Sequence, residues 1–147
     1  RAALDALPST ATVAVAELVP QVAEWNRGVL AHLAGAPLAD PRVRLVVGDV
    51  AELLRRASAA YDLVLLDTDN GPEGTTHDGN EWLYSAAGLK AAHAALSPGR
   101  MLAVWSAFQS PPFTKRLVRA GFDVSERDVR SRGSKGVRHV VWLARRR

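Results

Sequence analysis

The run Tyr61 to Pro72, YDLVLLDTDNGP, constrains the fold of this 147-residue chain more than any other stretch. Tyr61 to Leu66 is short and rich in Val and Leu, which is typical of a strand buried on both faces of a parallel sheet. Two carboxylates, Asp67 and Asp69, follow this run directly. Because ligands of open α/β sheets bind beyond the carboxyl ends of the strands, the sequence predicts a site in the loop that starts at Asp67.

Strand-like and helix-like segments alternate along the rest of the chain. The alternation predicts an α/β fold with a Rossmann-like, doubly wound, mostly parallel sheet and right-handed crossovers. A C-terminal antiparallel hairpin adds a strand, and 1–147 form a single domain. The predicted strands are Thr12–Glu17, Val43–Val47, Tyr61–Leu66, Met101–Ser106, Phe122–Val129 and Val137–Ala144. The predicted helices are Pro20–Leu33, Val50–Arg56, Ala86–Leu96 (capped by Ser85) and Pro112–Ala120.

Composition narrows the class of protein. Hydrophobic residues make up 48% and charged residues 23% of the chain, as in soluble globular proteins. No apolar run is long enough to cross a membrane, and no signal-peptide pattern is present at the start. Cysteine is absent, which excludes a disulfide framework and a thiolate metal site. We therefore expect a cytoplasmic enzyme with no membrane partner and no metal.

The net charge of +4 is unevenly distributed along the chain. Residues 1–114 contain 8 basic and 12 acidic residues, whereas residues 115–147 contain 11 basic and 3 acidic residues. A basic segment of this kind can indicate binding to nucleic acid or to an acidic ligand. Here the basic residues are scattered over strand-like segments without interleaved aromatic residues. This pattern favours a solvated, arginine-rich surface and no nucleic-acid partner.

Three successive predicted strands end in carboxylates, Glu17, Asp49 and Asp67. In dinucleotide-binding folds an acidic residue at the position of Glu17 binds the ribose hydroxyls, although it could equally be a solvated strand end. Asp49 could accept a hydrogen bond from an exocyclic amine such as that of adenine, and it could also cap the helix that follows. Carboxylates at three successive strand ends indicate a ligand site more specifically than any one of them does.

The chain resembles the class I S-adenosylmethionine-dependent methyltransferases and, more narrowly, their spermidine synthase-like branch. The resemblance lies in VAELVPQVAEWNRGVL, DPRVRLVVGDVAELL, YDLVLLDTDNGPEG, EWLYSAAGLKAAHAALSPGRMLAVWSA and GFDVSE…RHVVWLA, which together cover nearly the whole chain. It implies a transferase that moves an aminopropyl group from decarboxylated S-adenosylmethionine to a polyamine acceptor such as putrescine. Methyl transfer from S-adenosylmethionine and a degenerate, non-catalytic nucleoside-binding module are the alternatives. The resemblance to the spermidine synthase-like branch also implies a homo-oligomer, most simply a dimer.

The resemblance implies a role for several residues. Glu17, with Leu18 beside it, would bind the ribose, and Asp49, with the backbone of Val50, would contact the adenine. Asp67 matches the first Asp of the D-S-S-D-P loop of aminopropyltransferases, where it faces the reacting amine and also lies against the co-substrate. We therefore assign Asp67 a catalytic role.

The same resemblance implies that Asp69, Trp82 and Tyr84 bind the amine substrate. The second Asp and the Pro of the loop are displaced from the family pattern, which leaves methyl transfer open. Trp82 could close over the ligand or pack against the neighbouring helix. His77, in the same loop, is a candidate base or an exposed side chain. The remaining tryptophans, Trp25, Trp105 and Trp142, are predicted to be core residues.

The start of the sequence departs from the family. RAALDAL resembles the last turns of a helix, so we expect an N-terminally truncated sequence that lacks the first strand and its Gly-rich loop. In the family these elements cradle the methionine part of the co-substrate. A nicotinamide dehydrogenase, the other enzyme class built on such a sheet, is disfavoured because no Tyr-Lys or His pair for hydride transfer is evident.

Overall fold

The computed structural model describes residues 1–68, 71–73, 80–132 and 135–147. The chain divides into two compact units, Arg1–Glu52 and Leu53–Arg147. Among the described residues, no helix has both the length and the apolar character needed to cross a membrane.

The first unit contains a two-stranded parallel sheet. In chain order it consists of α1 (Ala2–Ala6), β1 (Val13–Glu17), α2 (Pro20–Arg27), two short 3-10 helices, β2 (Val43–Val47) and the start of α3 (Val50–Arg56). Glu17, the last residue of β1, lies opposite Val47, the last residue of β2. The two strands therefore end at the same edge of the sheet.

An ion pair fixes the approach to β2. Arg42 donates to both carboxylate oxygens of Asp40 and also to the backbone carbonyls of Leu7 and Pro8, 3.3 Å away. Hydrogen bonding to the Arg42 guanidinium lowers the pKa of the Asp40 carboxyl to about 2. The pair thus joins the segment that precedes β1 to the segment that precedes β2.

The prediction of one helix over Pro20–Leu33 is wrong for the second half of this range. Helix α2 ends at Arg27, where Gly28 is its C-terminal cap, and the chain continues as 3-10 helices over Ala31–Ala34 and Pro37–Ala39. The change of helix type breaks the apolar stripe that a single helix would have carried. The prediction that Trp25 is a core residue is also wrong, because 53% of its surface is exposed and Ala23 is the buried residue of α2.

The second unit contains a four-stranded mixed sheet. Its elements are β3 (Tyr61–Leu66), α4 (Glu81–Tyr84), α5 (Ala86–Ala95), β4 (Leu96–Ser106), α6 (Pro111–Arg119), β5 (Phe122–Arg132) and β6 (Lys135–Arg146). The strand order is β3-β4-β6-β5, with β3 parallel to β4 and both β6 pairings antiparallel. The predicted α/β fold with parallel strands and a C-terminal antiparallel hairpin is confirmed.

Helices α5 and α6 bury one face of this sheet. Phe113 of α6 packs edge-on against Trp142 of β6, with 5.0 Å between the ring centroids. Serine side chains cap both helices, since Ser85 accepts from the backbone N–H of Gly88 and Ser110 from that of Phe113. The prediction that Trp142 is a core residue is confirmed, because its surface is fully buried.

The opposite face of the sheet is more open. On β3, Val64 and Leu66 are buried, but Leu63 and Leu65 are 44% and 58% exposed. The bounds predicted for this strand are confirmed, whereas its predicted burial on both faces is wrong. The reason is the position of β3 at the end of the four-stranded sheet, with α5 and α6 on one side only. The Trp105 side chain lies on the open face of the sheet, together with Leu63 and Leu65, and is half-buried.

Candidate functional site

Two of the predicted carboxylates lie at one edge of the β1–β2 pair. Glu17 ends β1, and Asp49 follows Gly48 at the end of β2. The backbone N–H of Gly48 donates to the carbonyl of Glu17 over 2.9 Å, so the parallel pairing extends to the last residue of β1. The two carboxylates therefore lie at the same edge of the sheet, and their binding of one ligand stays a prediction.

The side chain of Glu17 is held by the turn that follows β1. Its Oε1 accepts a hydrogen bond of 2.9 Å from the backbone N–H of Val19, which precedes α2. Within the first unit no described group is hydrogen-bonded to Oε2, so one acceptor oxygen is left for a ligand. Leu18 is 48% exposed beside it and offers an apolar surface.

Asp49 caps helix α3. Its Oδ1 accepts a hydrogen bond of 2.7 Å from the backbone N–H of Ala51, two residues further on. The carboxylate is exposed and carries a second oxygen, so capping α3 still leaves an acceptor oxygen, Oδ2. Val50, the first residue of the helix, is half-buried next to it.

In the second unit, Asp67 is exposed directly after β3. The register pairs Leu63 with Met101 and Leu65 with Ala103, so the same alternation places Asp67 beside Trp105. The Trp105 ring in turn contacts His139 of β6, with 5.0 Å between centroids and a tilt of 36°. Asp67, Trp105 and His139 therefore share the open face of the sheet at its carboxyl edge.

Tyr84 fixes the backbone next to Asp67. Its hydroxyl donates to the carbonyl of Thr68 over 2.8 Å and lies 2.7 Å from the Thr68 hydroxyl. A tyrosine hydroxyl carries one proton, so the Thr68 hydroxyl is the donor in the second bond. The Tyr84 side chain is 2% exposed and packs edge-on against Phe113. These contacts hold the backbone at Thr68 in place, and the predicted contact of Tyr84 with the amine stays a prediction.

The loop is anchored a second time at residues 71–73. Gly71 adopts φ +94° and lies so close to β4 that a Cβ there would be 2.1 Å from Ser106 Oγ. Glu73 accepts a hydrogen bond of 2.6 Å from the Ser110 hydroxyl, and its Oε1 lies 3.5 Å from the guanidinium of Arg116. Ser110 and Arg116 therefore fix the chain at Glu73, five residues after Thr68.

Two of the remaining predicted residues lie outside the described residues, Asp69 and the candidate base His77. Trp82 is half-buried, and the guanidinium of Arg55 on α3 lies 3.9 Å from its ring centroid. This contact corresponds to the packing alternative for Trp82. Among the described residues, no group of three or more His, Asp or Glu side chains could hold a metal ion.

Sequence reasoning overlooked Ser106 and Ser110. Ser106 is the last residue of a buried strand, and Ser110 stands before a proline that begins a helix. The strand-end rule that selected Asp67 would have found Ser106, and the N-cap preference for serine would have found Ser110.

The parallel pairing of β1 with β2 and of β3 with β4, with carboxylates at or just after the strand ends, is typical of Rossmann-like α/β proteins. The chain belongs to the family of the spermine/spermidine synthase domain, whose model matches residues 4–120. The family is the one that the sequence resembles. A comparison with proteins of curated function finds no match.

Solved structures support the same fold. Spermidine synthase from Thermotoga maritima superposes with a TM-score of 0.69 at 15% identity, over 92% of this chain and 46% of that one. A spermidine synthase in complex with the transition-state analogue AdoDATO gives 0.67 at 14% identity, over 92% and 45%. The 1,6-didemethyltoxoflavin-N1-methyltransferase of Burkholderia thailandensis, bound to S-adenosylhomocysteine, gives 0.58 at 20%, over 91% and 60%. The chain thus spans less than half the length of the two spermidine synthases.

Proposed function

We propose that the protein transfers an aminopropyl group from decarboxylated S-adenosylmethionine to a polyamine-type acceptor. The observation that carries the proposal is the exposed carboxylate of Asp67 at the end of β3, in a chain whose match to the spermine/spermidine synthase domain spans residues 4–120. The two spermidine synthase structures, one of them with AdoDATO, support it further.

The proposed reaction is a nucleophilic displacement at a carbon bonded to a sulfonium. The lone pair of the acceptor amine forms the new C–N bond while the C–S bond breaks. The electrons of that bond leave with sulfur as a neutral thioether, so no strong acid is needed. The amine must attack as the free base, and it loses a proton once the bond has formed. Alignment of the amine and acceptance of this proton are what the protein supplies.

We propose that Asp67 performs both of these tasks. Its carboxylate is exposed, and two anchors hold the loop around it, Tyr84 on one side and Gly71 with Glu73 on the other. Glu17, Leu18, Asp49 and Val50 are proposed to bind the nucleoside. Asp69, Trp82 and Tyr84 are proposed to contact the amine, and the Tyr84 hydroxyl also fixes the position of Thr68.

Methyl transfer from S-adenosylmethionine is the second candidate. It is supported by the fold shared with a methyltransferase that binds S-adenosylhomocysteine. The two activities use the same displacement chemistry and differ in the group on sulfur. We also propose a homodimer, which light scattering of the eluting protein would test, and a cytoplasmic location remains a prediction.

Calorimetric titration with decarboxylated S-adenosylmethionine, S-adenosylmethionine and methylthioadenosine tests the proposal. Preference for the decarboxylated compound supports aminopropyl transfer, and preference for the carboxylated compound supports methyl transfer. If none of the three binds, the transferase proposal is refuted.

The role of Asp67 is tested by Asp67→Asn. We expect loss of turnover with nearly unchanged nucleoside affinity, because the carboxylate acts on the acceptor. Asp123→Asn, an exposed carboxylate on β5, is the matched control and should retain both properties. Equal loss of affinity and turnover in Asp67→Asn would contradict the assignment.

Nucleoside binding by Glu17 is tested by Glu17→Ala. The affinity should fall by about 1.5–3 kcal/mol, the value for hydrogen bonds to a charged group. Glu17→Gln, which keeps an acceptor for the N–H of Val19, separates the turn from the ligand contact. Unchanged affinity in both variants would remove Glu17 from the site.

A further inference from the structure

Strand β5 forms the end of the four-stranded sheet opposite β3 and is 11 residues long. It pairs with β6 alone, and within the second unit no described backbone group outside the sheet is hydrogen-bonded to it. Alternate residues of such a strand direct their N–H and C=O groups away from the sheet, where a further strand can bind. The free edge of β5 is therefore a candidate interaction surface.

The two faces of β5 carry different side chains. Phe122 is fully buried and Glu126 is hydrogen-bonded to α6, so the even-numbered residues of this part of the strand face the helices. Because side chains alternate along a strand, Asp123, Ser125 and Arg127 lie on the open face. All three are exposed. The open face of β5 therefore presents an acid, a hydroxyl and a base in succession.

The charges on this strand are complementary to those of a second copy of it. Asp123 and Arg127 lie two residues before and two residues after Ser125. If two antiparallel copies of β5 pair about a two-fold axis at Ser125, Asp123 of each copy lies opposite Arg127 of the other. Opposite charges on directly paired residues stabilise an antiparallel ladder, and like charges destabilise it. An axis at Asp123 or at Arg127 would place two like charges opposite each other.

An apolar patch lies near the same axis on the helix-covered face. Val118 of α6 is 46% exposed and follows Thr114, which contacts β5 through Glu126, by one helical turn. Val124 is half-buried and adjacent to Ser125. Pairing about Ser125 places the two copies of Val124 at diagonal positions across the axis. Association therefore covers apolar surface on one face while it pairs charges on the other.

The charges of β5 also restrict which strand can bind there. Charged side chains on an end strand oppose pairing with unrelated strands, because like or unpaired charges would be brought together. On β5 the order of Asp123 and Arg127 admits a strand with the reverse order, which an antiparallel copy of β5 supplies. Strand β3 has six residues, and its one charged side chain, Asp62, already pairs with Arg100. Of the two end strands, β5 is therefore the better suited to a specific dimer.

We propose that two copies of the chain pair their β5 strands antiparallel about a two-fold axis at Ser125, so that their four-stranded sheets join into one continuous sheet. The inference rests on the homodimer of the proposed function, for which it names the surface, and it does not depend on the group that is transferred. Asp67 follows β3, at the opposite end of the sheet from β5. The interface therefore leaves Asp67 uncovered, and turnover should not depend on association.

A single cysteine tests the register, because the chain has none of its own. In the proposed dimer the two copies of residue 125 are directly opposite, with Cα atoms about 4.5–5.5 Å apart, which a disulfide can span. Dilute Ser125→Cys should therefore form a covalent dimer under a mild oxidant, as judged by non-reducing electrophoresis. Ser131→Cys, exposed further along the same strand, is the matched control. Its two copies would lie roughly 40 Å apart and should not cross-link.

Charge reversal tests the pairing of Asp123 with Arg127. Asp123→Lys and Arg127→Glu each replace two attractive pairs by two repulsive ones. Either substitution should raise the dimer dissociation constant about tenfold to hundredfold in sedimentation equilibrium. An equimolar mixture of the two variants should associate like the unsubstituted protein, because each reversed charge again meets its opposite. Lys90→Glu, on the exposed surface of α5, changes the net charge as Arg127→Glu does and should leave the dissociation constant unchanged.

Cross-linking of Ser125→Cys alone, together with association restored in the mixture, would support the interface. A protein that is monomeric up to millimolar concentration, equal cross-linking of Ser125→Cys and Ser131→Cys, or a dimer that is insensitive to the charge reversals would overturn it. Nucleoside binding and turnover are measured on the same variants and should be unchanged. If the unsubstituted protein dimerises as proposed but binds no nucleoside, the transfer proposal fails and the interface stands, so the two can fail independently.

Discussion

Replacing Tyr84 by Phe tests whether the Tyr84 hydroxyl holds the backbone beside Asp67. The hydroxyl makes two hydrogen bonds to Thr68, one to its carbonyl and one from its side chain. Each hydrogen bond contributes about 0.5–1.5 kcal/mol, so losing both should lower the free energy of unfolding by about 1–3 kcal/mol. The ring should remain in place because its packing against Phe113 is unchanged.

Urea unfolding of the unsubstituted protein and four variants isolates the contribution of the hydroxyl. The control is Tyr61→Phe, because the half-buried Tyr61 makes no side-chain hydrogen bond among the described residues and should change stability by less than about 0.5 kcal/mol. Thr68→Val removes one bond and leaves the carbonyl bond intact, so its cost should be about half that of Tyr84→Phe. In the double variant Thr68→Val should add little, since its partner is already gone.

The functional readout follows from the position of Thr68. Tyr84→Phe should lower turnover while leaving nucleoside affinity unchanged, because the hydroxyl acts on the loop that carries Asp67. If Tyr84→Phe is as stable as Tyr61→Phe, or if the two substitutions in the double variant are additive, the hydrogen-bond assignment is refuted.

Two further predictions concern Gly71 and the ion pair of Asp40 with Arg42. Gly71→Ala should destabilise the protein by about 2–5 kcal/mol in urea unfolding, because a left-handed conformation costs about 1–2 kcal/mol and overpacking against Ser106 costs about 1–3 kcal/mol. Adding Ser106→Gly to this variant should recover part of the loss. Asp40, whose folded-state pKa of about 2 lies below its unfolded value, stabilises the protein above about pH 4 and loses this contribution as the pH falls to about 2. The stability gap between the protein and Asp40→Asn should therefore close on acidification, and a constant gap would contradict the ion pair with Arg42.

Elements defined by strong local signals were predictable from the sequence. The bounds of β2, β3 and α3 agree with the prediction because apolar runs or a capping Asp mark them. Ser85 is the cap of α5, as predicted, since serine is favoured there. The strand-end carboxylates Glu17 and Asp49 were also found this way, because parallel strands that pair in register must end at one edge.

Features that depend on distant partners were not predictable. The apolar spacing of Pro20–Leu33 fits one long helix, but Gly28 ends α2 and leaves Trp25 exposed. The openness of one face of β3 depends on which helices pack there, and a single sequence does not show this. The anchors of the loop join residues far apart in the chain, such as Glu73 with Ser110, so no local pattern marks them.

The position of β3 at the end of its sheet also bears on solubility. In the four-stranded sheet β3 pairs with β4 alone, and its Leu63 and Leu65 side chains are exposed. An end strand with exposed apolar side chains is a template for self-association, and charges along it oppose that process. Asp62, which pairs with Arg100 over 2.9 Å, is the charged residue within the strand. Neutralising Asp62 should therefore shorten the time that concentrated protein remains clear, without a comparable loss of folding stability.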